Sequence, residues 1–78
     1  MTVENLKKKL NAVGVQDDLY YLLIGGFPNE AYCLVENKDD WEVYYSERGG
    51  KSDVQLFATE SEACEYLFEE LKNYARIV

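Results

Sequence analysis

The chain contains no histidine, one proline and two cysteines, and its eight basic residues face fifteen acidic ones. Without histidine neither a Cys-His nor a Ser-His pair can be built, and the commonest general base at neutral pH is missing. Cys33 and Cys64 stand far apart and outside any CxxC spacing, so a zinc or iron site lacks its ligands. Both lie inside apolar segments and read as reduced, buried hydrophobes. No metal and no cofactor is expected. No apolar run approaches the roughly 20 residues of a membrane span, so a membrane is not an expected partner. The stretch from Met1 to Leu10 carries Lys7, Lys8 and Lys9 with no apolar signal core behind them, and the expected location is cytoplasmic.

What is present suits a small folded domain. The 78 residues are 47% hydrophobic and 29% charged, too apolar for disorder, and are read as a single domain, 1–78. A chain near this length buries only about 60% of the surface it exposes when unfolded, enough for one modest core. The net charge of −7 is unevenly placed. Lys7, Lys8 and Lys9 balance the acids near them, whereas from Asn29 onward acids far outnumber Lys38, Arg48, Lys51, Lys72 and Arg76. A nucleic acid, which needs a basic stripe, is therefore not expected as a partner, and a basic protein suits the charge better.

Apolar residues at Val3, Leu6, Leu10 and Val13, after Thr2 and before Gly14, predict a first amphipathic helix. "LYYLLI" (19–24), "EAYCLVE" (30–36), "WEVYYSER" (41–48) and "SDVQLFA" (52–58) predict four strands, separated by Gly25-Gly26 with Pro28-Asn29, by "NKDD", and by Gly49-Gly50. Thr59 opens "TESE", a capping box, and a second helix runs to about Tyr74 with Ala63, Cys64, Leu67, Phe68, Leu71, Tyr74 and Ala75 as its apolar stripe. Glu60, Glu62 and Glu65 at its start and Lys72 and Arg76 at its end complement the helix dipole, so much of the acidic character is helix design. With Gly49-Gly50 as a two-residue turn, Tyr45 pairs with Val54, Val43 with Leu56 and Trp41 with Ala58, which makes one face apolar. The fold class expected is α+β: a four-stranded antiparallel meander with an N-terminal and a C-terminal helix packed on one face, in the order α-β-β-β-β-α. Trp41, Val43, Tyr45, Val54, Leu56, Leu67 and Leu71 are the expected core.

Catalysis finds little support. Alternation puts Glu42 and Glu47 on opposite faces of their strand, and "GGFPNE" has no phosphate-loop lysine, so the chain is not read as an enzyme. The opposite face of the hairpin carries Glu42, Tyr44 and Arg48 beside Gln55 and Phe57, and no helix remains to cover it. Tyrosine and arginine are enriched at the energetic centres of interfaces, although strand tyrosines also occur with no partner at all. The partner-binding set expected is Glu42, Tyr44, Glu47, Arg48 and Phe57, with Glu47 reaching the rim from beside the Gly49-Gly50 turn. The plainer alternative is a small acidic adaptor, or a homodimer formed through an exposed strand edge.

Three blocks, "GGFPNEAYCLVEN", "WEVYYSERGGKSD" and "SEACEYLFEEL", in this order and spacing, resemble the small α+β immunity proteins of bacterial polymorphic-toxin systems, in particular immunity protein family fifty-nine. The resemblance covers about residues 18 to 71. Trp41 to Gly49 and Glu62 to Tyr66 are its most specific parts. It implies a non-enzymatic protein that binds a cognate toxin domain in the cytoplasm and blocks it. An acidic inhibitor associates quickly with a basic toxin because opposite charge steers the encounter.

Overall fold

A computed structural model describes residues 1–75. Helix α1 spans Val3–Ala12, a 3-10 turn spans Asp17–Leu19, strands β1 to β4 span Tyr20–Leu22, Ala31–Glu36, Trp41–Glu47 and Gly50–Phe57, and helix α2 spans Glu60–Tyr74. The helix ends follow local chemistry. Thr2 Oγ1 accepts from the Asn5 N–H while Asn5 Oδ1 accepts from the Thr2 N–H, which closes a capping box at α1. At α2 the Glu62 N–H donates to Thr59 Oγ1 at 3.2 Å, and the Thr59 hydroxyl donates to the Glu62 carboxylate at 3.1 Å.

The architecture is α+β, with one four-stranded sheet in the order β1-β2-β3-β4 and two helices. The sheet is mixed rather than an antiparallel meander, because β1 runs parallel to β2 with Tyr20 opposite Tyr32 and Leu22 opposite Leu34. Parallel neighbours ordinarily need a crossover of about a dozen residues or more. Residues 23–30 manage it because β1 is only 3 residues long. The Leu23 N–H still donates to the Leu34 carbonyl at 2.8 Å, and the chain then leaves the sheet and passes over its face.

The β3–β4 hairpin also departs from expectation. Its turn is Arg48-Gly49, with φ of 51° and 76°, and Glu47 pairs with Gly50. Positive φ at both central residues is the type I′ requirement, and here an arginine meets it in place of a second glycine. Ser46 pairs with Lys51 and Tyr45 with Ser52; a bulge then falls opposite Tyr44, where Asp53 takes φ of 51°. Beyond the bulge Val43 faces Gln55 and Trp41 faces Phe57, one residue out of the expected register. A slip of one residue turns a strand over. Val54 and Leu56, expected in the core, are therefore 46% and 59% exposed, and Phe57, expected on the partner face, packs against the core.

The core joins Leu6 and Leu10 of α1, Tyr20, Leu34 and Val43 of the sheet, and Ala63, Cys64, Leu67 and Leu71 of α2. Trp41 packs against this cluster only half-buried. Burial pushes both thiols up, that of Cys64 to about 11, and neither side chain is exposed to solvent.

Candidate partner-binding surface

The face of the sheet turned away from this core is not an open surface. Pairing puts Ala31, Cys33 and Val35 of β2 beside Ser46, Tyr44 and Glu42 of β3 on that side. Ala31, Cys33, Tyr44 and Ser46 are all buried, and the cover is the 23–30 connection. The Tyr44 hydroxyl donates to the Gly26 carbonyl at 2.7 Å, and a Cβ on Gly25 would stand 3.8 Å from Val35 Cγ1. Gly25 and Gly26 both take positive φ, which allows the connection to lie flat on the strands. Tyr44 is consequently 2% exposed, and burial pushes its hydroxyl up to about 12. It holds the crossover down and offers no side chain to a partner, contrary to the expectation for this residue.

Glu42 is likewise built into the fold. Lys51 Nζ donates to one of its carboxylate oxygens at 2.9 Å and Asn37 Nδ2 to the other at 3.1 Å. The bond from Lys51 holds the carboxyl below the ordinary glutamate range, against an opposing effect of burial. Lys51 reaches Glu42 across Tyr44, with Nζ 4.4 Å from the ring centroid, so one cation is held by a carboxylate and an aromatic face together. Phe57 lies on the core side, 5.1 Å from the Tyr66 ring. Of the expected set, Glu47 and Arg48 are exposed at the hairpin end. The five residues do not form one patch: three are occupied within the fold, Glu47 flanks the turn and Arg48 is part of it.

Two surfaces replace that face. The first is β4, the outer strand of the sheet, whose residues are exposed from Gly50 to Leu56 and whose outer edge has no strand beside it among the described residues. Val54 and Leu56 stand on it with large apolar areas in solvent. The second is at the hairpin end, on the side of the sheet that faces α2. Tyr32 and Tyr45 are register partners with ring centroids 5.1 Å apart, and Tyr74 stands edge-on to Tyr32 at 5.6 Å. Tyr66, Glu70 and Tyr74 follow at four-residue spacing along α2 and so share one side of it. That spacing is visible in the sequence; that the side meets Tyr32 and Tyr45 is not. The neighbouring Tyr74 side chain, whose ring centroid is 6.0 Å away, and burial raise the Tyr45 hydroxyl well above the usual tyrosine range, and Glu47 and Glu30 add to the shift.

Away from the sheet face, a hollow of about 350 Å³ between α1 and β1 is lined by Lys7, Asn11, Asp17, Tyr20, Tyr21 and Leu22, with Ile24 at its mouth. Among the described residues no group of three His, Cys, Asp or Glu side chains is placed to hold a metal ion. No helix among them is long and apolar enough to cross a membrane. Comparison with protein-family models, curated proteins and solved structures finds no match to this chain.

Proposed function

We propose that this chain is an immunity protein that binds and neutralises a cognate toxin domain in the cytoplasm through protein–protein contact. The observation that carries the reading is β4, an edge strand exposed along its length with Val54 and Leu56 in solvent. An unpaired edge offers a row of backbone donors and acceptors to another chain, and apolar side chains beside it add contact area. The three sequence blocks that resemble immunity proteins support the same role. The acidic balance favours a basic toxin over a nucleic acid.

The test is growth of cells that express the C-terminal domain of a neighbouring secreted toxin together with this chain. Protection by the wild type, lost in Leu56→Lys with folding retained, supports the reading. Full protection by Leu56→Lys moves the contact off β4, and no protection by the wild type ends the immunity assignment. The same free edge favours the second reading, a homodimer or small acidic adaptor, which predicts a mass of two chains in light scattering without any toxin.

A further inference from the structure

The tyrosine cluster at the hairpin end has more acid around it than its own fold uses. The charged side chains acting on the Tyr32, Tyr45 and Tyr66 hydroxyls are Glu70, Asp53, Glu47 and Glu30, all of one sign. Among the described residues the ion pairs are Lys51–Glu42 and Lys72–Glu69, so none of those four acids has a cation of the described residues within 4.0 Å. Tyr74 is 44% exposed and Tyr32 and Tyr45 are half-buried, which leaves aromatic surface open to a visitor. The buried face of the sheet shows what this pairing of groups does when a cation is at hand: Lys51 sits over the Tyr44 ring and against the Glu42 carboxylate. At the tyrosine cluster the ring and the carboxylate are present and the cation is not supplied by these elements.

We propose that Tyr32, Tyr45 and Tyr74, bordered by Glu70 and Asp53, seat an arginine side chain of the toxin domain. The inference rests on the immunity reading for its partner and on the geometry for its chemistry. A guanidinium suits the seat better than an ammonium, because its plane stacks on an aromatic ring while its N–H groups meet a carboxylate. Three element types converge to make it: β2 and β3 supply two rings, α2 supplies Tyr74 and Glu70, and the β4 bulge supplies Asp53. Charge of one sign around the cluster speeds encounter with a basic segment, and the rings fix where its arginine stops.

The experiment is an NMR titration of the intact chain with a hexa-arginine peptide and, separately, with hexa-lysine, at low and moderate salt. The expected result is saturable movement of the Tyr32, Tyr45 and Tyr74 signals, tighter for hexa-arginine. Tyr74→Ala and Glu70→Gln should each weaken that binding about fivefold, the effect of losing one cation–π or charged contact, with Glu62→Gln unchanged. Shifts spread over every acidic residue, equal binding of the two peptides, or wild-type binding by both patch variants would overturn the seat. A toxin-binding arm separates the two claims. Toxin that binds Tyr74→Ala and Glu70→Gln as tightly as the wild type overturns the seat and leaves the immunity reading standing. Toxin that ignores the wild type while hexa-arginine still binds at the cluster ends the immunity reading alone.

Discussion

Replacing Tyr44 tests the covered face of the sheet most directly. Tyr44→Phe removes one hydroxyl, whose single bond runs to the Gly26 carbonyl at 2.7 Å, and leaves the ring in place under Lys51. A net hydrogen bond is worth about 1 kcal/mol, and Gly26 is exposed enough for water to take over its carbonyl, so the loss should stay near that figure. Tyr44→Ala also removes a ring that is 2% exposed, strips Lys51 of its aromatic contact and opens a void beside Cys33, for a cost of about 3–5 kcal/mol. A domain this size has roughly 4–12 kcal/mol in total, so the alanine variant should sit close to unfolding. Urea titration followed by Trp41 fluorescence measures both, as a fall in midpoint at constant slope. Thermal melts should show Tyr44→Phe lower by about 4–8 °C. Hydrogen exchange adds the local readout: the Leu23 N–H, bonded to Leu34 at 2.8 Å, should exchange faster in Tyr44→Phe as the crossover lifts. A wild-type midpoint for Tyr44→Ala would refute the covered face and return this residue to the surface that its strand position first suggested.

Arg48→Asn should stabilise the fold by about 0.5–1 kcal/mol in the same urea assay, because asparagine tolerates the φ of 51° at the first turn position far better than arginine; a loss instead would place the turn at Gly49-Gly50. The Glu42 carboxyl is held below its unfolded value by Lys51, so its contribution is fully present above the unfolded pKa of about 4.3 and is lost as pH falls through the lower folded value. The destabilisation caused by Glu42→Gln, measured by melting at a series of pH values, should accordingly shrink as pH drops below about 5, and a constant difference would show the Lys51 bond to be idle. Thiol labelling of Cys33 and Cys64 should be slow in the native chain and fast in denaturant, since both are buried with raised pKa values; rapid native labelling would show that the core around α2 or under the crossover opens readily.

Both helices and the existence of four extended segments were legible in the sequence because they depend on neighbours a few residues away. The Thr2 and Thr59 side chains cap the helices by accepting from the backbone N–H three positions on, and the apolar spacing of Leu6 and Leu10, or of Cys64, Leu67 and Leu71, follows the helical period whatever surrounds it. The two buried cysteines belong to the same class. Tertiary structure decided the rest. Whether β1 runs parallel or antiparallel to β2 depends on the path of residues 23–30, and that path is held by a Tyr44–Gly26 bond between residues far apart in the chain. The hairpin register turned on which dipeptide made the turn, and Arg48-Gly49 won over Gly49-Gly50 once a bulge at Asp53 let Phe57 reach Trp41 and Tyr66. A single-residue slip then exchanged the faces of β4, moving Leu56 out and Phe57 in, which no local pattern could report because both registers alternate equally well. The tyrosine seat is the furthest from the sequence, since Tyr32, Tyr45 and Tyr74 meet only when two strands and a helix have packed on one another.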